Sequence, residues 1–565
     1  MLTKEALVLT MIGAAAIFLS EIKPGMSGRS LSAKQHRVYL CIVLLLGCFV
    51  RLWKLDSLPS GISAEEALVG VQAKALWQTG GFLFGGNLTT QFTQWTGETC
   101  GPLLATLTAP FVGLGGLTPL MTRLPLALVS CLAVVFAYGL GMRLGGERMG
   151  RWCLTVYALC PYFVLAARMT SGINLGVSLF PIALCVLTAG MKSVGCLYAG
   201  MALTALLSYT QDMYSFIAPA MILLAAALAG CAGIKKRHAL LSGAMGILLC
   251  VPAILTLIVN LFGEEGFTML GMLDIPQLEA YEKADSFVDM IEPGTNVFLL
   301  AARKVWAILT GGIFQIVLHV YMNTGMYTPD GMLALYFVSL PLIALGVLWL
   351  ATCALKGMLP EKNGRTAWVL TAGTLVIVLA ALLFYGSEGV MIPTGCTSVW
   401  DYSTLFLFAA LLMCAGLCRI ERKSFAGTAV MCGVIAVNFA LLCVYLFGGA
   451  YQKEANTYLD GFGEMAIRAH ALREKTGKEV VVTHSVWPHI QQDQAAEMMY
   501  LYASDMDLHT ARPGGGAEYT IVHIADMDQP DPSKIYLVRN WDTVDWNTEG
   551  YACEESGEFT LLYQK

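Results

Sequence analysis

The stretch Val38-Tyr-Leu-Cys-Ile-Val-Leu-Leu-Leu-Gly-Cys-Phe-Val-Arg-Leu-Trp53 carries one charge, Arg51. A short connection then leads to Gly61-Ile-Ser-Ala-Glu-Glu-Ala-Leu-Val-Gly70, with adjacent carboxylates at Glu65 and Glu66. An apolar run approaching the ~20 residues that a bilayer needs, followed by acidic residues opening a helix, reads as a membrane span that delivers two carboxylates to its surface. Further apolar runs lie near 6–20, 119–142, 152–167, 174–190, 194–208, 214–232, 239–261, 332–355, 367–385, 401–418 and 426–448. The expected fold class is therefore a polytopic α-helical membrane protein with about 11–13 transmembrane helices. The first run, Ala6–Ser20, resembles a signal h-region, but no small-residue cleavage site follows it, so it reads as a retained helix.

Composition agrees. Of 565 residues, 56% are hydrophobic and 13% charged, against about 25% charged in soluble domains. That excludes a disordered chain, a coiled coil and an ordinary cytosolic enzyme. The net charge of −5 is a sum of unlike parts: the first 450 residues are slightly basic, and the acidic excess lies in the last 115. The 17 cysteines fall mostly inside apolar runs, where thiols behave as small hydrophobes. No Cys or His spacing suggests zinc. Cys100, Cys396 and Cys553 sit in more polar surroundings, with no pairing implied.

Lys and Arg cluster at 23–37, 143–151, 192, 235–237, 356–365 and 419–423. These segments fall on alternate connections, so one orientation places all of them in the cytoplasm. It puts 56–118, 262–331, 386–400 and everything from Tyr451 outside. The first long outer loop has amphipathic stretches at Glu65–Gln78 and from Pro102, read as short helices along the membrane surface. The second has an acidic segment, Glu264–Glu292, and an apolar one, Val297–Val320, read either as a surface helix or as one more span. The chain divides into an extra helix and basic loop (1–37), a membrane domain (38–450) and an extracytoplasmic α/β domain (451–565). In the last, Glu464–Lys475 has helical spacing, and Glu479–Thr483, Tyr519–Ile524 and Lys534–Val538 read as strands. His484, His489, His509 and His523 are scattered there without a metal-ligand pattern.

Polar groups at a membrane surface are functional candidates by default. Glu65 and Glu66 point about 100° apart on a helix, so one can face a cavity while the other caps the helix or binds a ligand. The helix dipole alone also favours acidic residues there. Arg51, Lys54, Arg123 and Arg168 lie near the outer ends of spans. Each can snorkel to headgroups; together they could hold a lipid phosphate, which arginine's planar fork suits.

The carboxylate pair of Gly61–Gly70 resembles the acidic motif opening the first outer loop of GT-C glycosyltransferases of the protein O-mannosyltransferase and aminoarabinose-transferase type. Similar text follows in order: Ala73–Gly80, Gly101-Pro-Leu-Leu104, Ala109-Pro-Phe111, Thr122-Arg-Leu-Pro125, Cys160–Arg168 with Asn174, Ser208–Tyr214 and Gly331–Pro341. These segments cover roughly residues 38–420. The resemblance implies a bacterial membrane enzyme transferring a sugar from a polyprenyl-phosphate-linked donor, with inversion, to a lipid, glycan or protein acceptor at the outer face. Glu65 takes the place of the family's catalytic base, an aspartate there, and Glu66 the second acidic place. Arg168 and Arg123 take the donor phosphate, with Asn174, Tyr209, Tyr214 and His319 as substrate contacts. Relatives carry an acidic residue where this chain has Gly172. No cofactor is implied: Glu65, Glu66 and Glu264, Glu265 or His319 could gather a divalent ion, but O-mannosyltransferase-like relatives need none. Membrane lipids are expected partners and nucleic acid is not. The competing readings are a lipid-linked-sugar flippase or transporter, whose internal repeats are not found here, and a degenerate scaffold member of the family.

Overall fold

The computed structural model describes residues 32–59, 61–82, 87–93, 99–211, 213–262, 265–277, 338–355, 362–385, 403–448, 461–484, 492–506, 518–527, 529–540 and 546–564, with a few isolated positions besides. The run at 6–20, the apolar stretch 297–320, His319 and Cys396 lie wholly or largely outside these residues.

The helices are α1 (Ala33–Leu52), α2 (Ala64–Thr79), α3 (Leu103–Gly115), α4 (Pro119–Leu159), α5 (Pro161–Ala166), α6 (Gly172–Gly190), α7 (Val194–Leu207), α8 (Met213–Ala232), α9 (Lys236–Phe262), α10 (Ser339–Leu355), α11 (Lys362–Tyr385), α12 (Ser403–Lys423), α13 (Phe425–Phe447), α14 (Phe462–Thr476) and α15 (Gln492–Ser504). Eight of them, α1, α4, α6, α8, α9, α11, α12 and α13, are long and apolar enough to cross a membrane, and α3, α7 and α10 are shorter apolar helices. The chain is thus a multi-pass membrane protein. Helices α6 and α12 are the most enclosed of the eight and form the centre of the body.

The runs expected at 119–142 and 152–167 join in α4, which breaks at Gly146, whose φ of 77° is open to glycine. Arg151 beyond that break donates to Glu421 at 2.6 Å, and the Trp152 indole donates to the same carboxylate at 2.8 Å. This clamp ties the basic stretch around the break in α4 to the basic end of α12.

At the opposite end of the body, three short strands, β1 (Leu88–Thr89), β4 (Phe267–Met269) and β5 (Leu273–Ile275), form a sheet in the order β1-β5-β4, while β2 (Phe92–Thr93) pairs with β3 (Thr99–Cys100). The two long loops are therefore stitched together there. The C-terminal region forms a five-stranded sheet of β6 (Val480–His484), β7 (Tyr519–His523), β8 (Ile535–Arg539), β9 (Tyr551–Ser556) and β10 (Phe559–Gln564) in the order β7-β6-β8-β10-β9. β6 runs parallel to β7 and β8, and β10 runs antiparallel to β8 and β9. Three of its strands and α14 were legible in the sequence; α15, β9 and β10 were not.

Helix α2 has more than the single apolar face that its amphipathic pattern suggested. It is buried on two sides. Ala67, Leu68, Val71 and Ala75 join the core of the sheet domain with Met465, Tyr500 and Leu501. Val69 and Leu76 pack with Leu104, Leu126 and Leu175 of the membrane body. Both faces are apolar, so each finds a hydrophobic partner and neither remains for lipid.

Candidate functional site: a carboxylate pair between membrane body and sheet domain

Local sequence fixes the start of α2. Ser63 is its N-cap: Glu66 N–H donates to Ser63 Oγ at 3.1 Å, and Ser63 N–H donates back to Glu66 Oε2 at 3.2 Å, a reciprocal capping box. The same Glu66 carboxylate receives Arg123 Nε at 2.8 Å on Oε1 and Arg123 Nη2 at 2.8 Å on Oε2. Thr170 N–H adds a second donor to Oε1 at 3.2 Å. Arg123 is fully buried and Glu66 1% exposed, so this bidentate pair carries its charges out of water with its hydrogen-bonding capacity filled.

Glu65 turns away, as the 100° step between neighbours requires. It is half-buried. Burial, with a smaller contribution from the Glu66 charge, pushes its carboxyl up to about 7. Among the described residues no hydrogen-bond or ion-pair partner meets it. One carboxylate is paired and structural; its neighbour has no partner among the described residues and a carboxyl raised toward neutrality by burial.

The arginines meet acceptors of the protein itself. Arg123 Nη1 donates to the carbonyls of Leu55 at 3.2 Å and Pro59 at 2.9 Å, and Nη2 reaches Gly61 at 2.7 Å. Arg168, also fully buried, donates to the carbonyls of Val50, Trp53, Lys54 and Leu58 at 2.8–3.1 Å. Arg51 caps Gly47, Tyr157, Ala158 and Phe163 carbonyls and Ser130. These three fasten the turn between α1 and α2 to α4 and α5. The Arg123 and Arg168 guanidinia thus meet buried protein acceptors, and a role for either at a donor phosphate stands as a proposal. Of the four cations noted in the sequence, only Lys54 has an exposed side chain.

Asn174 is buried at the start of α6 and donates to the Met169 carbonyl at 2.9 Å, which supports the turn after Arg168. Tyr209 is half-buried, its hydroxyl on the Leu249 carbonyl at 2.7 Å. Tyr214 is fully buried against Phe180, and among the described residues its hydroxyl finds no partner. The turn holding these tyrosines docks on the Gly101-Pro-Leu segment: Gly101 N–H donates to Thr210 O and Leu103 N–H to Tyr209 O, both at 3.1 Å. A Cβ on Gly101 would stand 2.0 Å from the Tyr209 carbonyl, so glycine is required by contact. Glu265 is exposed, and Glu264 and His319 lie outside the described residues. Among the described residues no three His, Cys, Asp or Glu side chains gather as metal ligands.

Sequence reasoning missed the contribution of the sheet domain. Tyr502 of α15 lies against Gly70, where a Cβ would meet its ring at 2.6 Å. Its hydroxyl shares a 3.0 Å hydrogen bond with Thr122, the residue before Arg123. Lys74 bonds Asp505 Oδ1 at 2.6 Å and the Asp505 and Met506 carbonyls at 2.8 and 2.7 Å. No local signal links residues some 380 positions apart.

Fold and site together define a multi-pass membrane protein with a carboxylate site held between its body and a C-terminal sheet domain. No family model and no curated protein matches the sequence. Among solved structures the chain is similar to the Archaeoglobus fulgidus oligosaccharyltransferase in its apo form, at 12% identity and a TM-score of 0.46 over 84% of this chain. It spans 64% of that enzyme's length. It is also similar to ArnT from Cupriavidus metallidurans bound to undecaprenyl phosphate, at 12% identity and TM-score 0.42, covering 94% of this chain and 98% of that one. A third is the mycobacterial arabinofuranosyltransferase AftD, at 15% identity and TM-score 0.35, covering 91% of this chain and 37% of that one. These neighbours are GT-C glycosyltransferases.

Proposed function

We propose that the protein is a membrane glycosyltransferase that moves a sugar from a polyprenyl-phosphate-linked donor to an acceptor hydroxyl at the extracytoplasmic face of a bacterial plasma membrane. The observation that carries the reading is the division of labour between the adjacent carboxylates. Glu66 is locked by Arg123, while Glu65 is unpaired, half-buried and raised to about 7. The order of sequence segments resembling GT-C enzymes supports the same reading. Glu65 takes the acceptor's proton as its oxygen attacks the anomeric carbon. The bond from that carbon to the donor phosphate oxygen breaks, its electron pair leaving with the lipid phosphate. A single displacement of this kind inverts the anomeric centre.

In this mechanism Glu66 and Arg123 position Glu65, and Arg168 holds the α1–α2 turn. The cation offered to the phosphate is Lys54, carried on that turn with φ of 52°. The reading invokes no metal ion. The test is transfer by purified protein in liposomes from a panel of undecaprenyl-phosphate sugars, with Glu65→Gln alongside. Transfer that Glu65→Gln leaves unchanged, or transfer from no donor in the panel, defeats the proposal. The flippase reading would instead give donor movement across the bilayer without transfer.

A further inference from the structure

The second long loop opens with a hairpin unlike an ordinary solvent-facing turn. Strands β4 and β5 are joined by Leu270, Gly271 and Met272, and the first two stand at φ of 54° and 68°, left-handed positions that favour Asn and Gly. A left-handed position is sterically unfavourable for leucine, and here its side chain is also 86% exposed. Met272 is 64% and Phe267 46% exposed. Residues 266–273 carry no charge, although Glu265 and Asp274 flank them. Local sterics and water both disfavour this leucine, so its apolar side chain requires another reason.

The base of the hairpin sets its depth. The Thr90 hydroxyl meets that of Thr256, and Thr90 N–H donates to Asp274 O at 3.3 Å. Asn260 donates to the Pro276 carbonyl at 3.0 Å. Strand β5 thus lies beside the last turns of membrane-spanning α9 rather than beyond them. The outward apolar surface of α9, including Leu248, Ile258 and Phe262, continues into the hairpin. We propose that the β4–β5 tip inserts Leu270 and Met272 into membrane lipid at the boundary of headgroups and acyl chains, anchoring the start of the second long loop. Apolar side chains between flanking carboxylates suit that boundary. The inference does not depend on the proposed reaction.

The test places a benzoylphenylalanine photocrosslinker at Leu270 in the full-length protein in phospholipid nanodiscs, with mass spectrometry of the labelled peptide. Phospholipid adducts at least tenfold above those from the same probe at Glu555, on the edge strand β9, are expected. A yield equal to that at Glu555 overturns the proposal, as does crosslinking mainly to residues 278–337 of the protein itself. In a second variant, Leu270→Asn suits the turn and keeps the thermal transition. It should cut lipid adducts from a probe at Met272 several-fold; an undiminished yield also overturns the proposal.

Discussion

Two ion-paired arginines in this molecule show what surroundings do to the same chemistry. Arg123 meets Glu66 through two 2.8 Å bonds, with both side chains essentially out of water. Arg468 in the sheet domain meets Glu464 at 2.7 Å and Glu554 at 2.8 Å, but its side chain is half exposed. On distances alone the pairs are alike. The buried pair has no water to fall back on, so losing one partner strands a charge. The exposed pair exchanges its partners for solvent at little cost. The first therefore constrains the protein, and it lies one residue from the unpaired Glu65.

The comparison can be broken at several points. The largest effect is expected at Glu65, where Gln removes the proton acceptor and keeps the shape. Loss of a general base costs about 100- to 10,000-fold in rate, so transfer should fall by that much while the thermal transition stays within a degree. The sign of the pH dependence follows from the raised carboxyl. Glu65 must be deprotonated to act, so activity should climb through about pH 7 and level off above it. A limb near 4.5 would show that Glu65 is not the group being titrated.

Next comes the pair itself. Glu66→Ala or Arg123→Ala should destabilise the protein by about 3–5 kcal/mol, read from thermal unfolding in detergent. The double variant Glu66→Gln with Arg123→Met should recover part of that loss, since neither charge is then stranded. If the single variants melt like the parent, the buried pair is no more important than the surface one.

A smaller effect is expected at the seam. Tyr502→Phe removes the hydroxyl shared with Thr122 at a cost of about 1 kcal/mol. It should loosen α2, seen as faster amide exchange over residues 64–79. Arg468→Ala should be the smallest of all, with no resolvable shift in the transition. A shift matching that of Arg123→Ala would undo the contrast between the two regions.

Much of this architecture was readable along the chain. Apolar runs of span length and the alternation of basic loops depend on local composition, and Ser63 with Glu66 is a local capping signal. The 100° step between Glu65 and Glu66 already required that they face different surroundings. The partners were not readable, because Arg123, Thr170 and Tyr502 reach the site from positions remote in sequence. Basic residues near span ends look alike, whether they meet phosphate, lipid or carbonyl oxygens. Only the fold shows Arg51, Arg123 and Arg168 turned inward on backbone acceptors and Lys54 exposed.

The sequence by itself determined the membrane body, the strands and helix that open the sheet domain, and the carboxylate pair at the start of α2. These rest on hydrophobic periodicity, capping and charge, which act over a few residues. Tertiary structure alone decided that α2 is enclosed on two sides, that Glu66 is locked and Glu65 left unpaired, and that the sheet domain braces them. Burial and ion pairing depend on which distant surfaces meet, and no stretch of sequence carries that information alone.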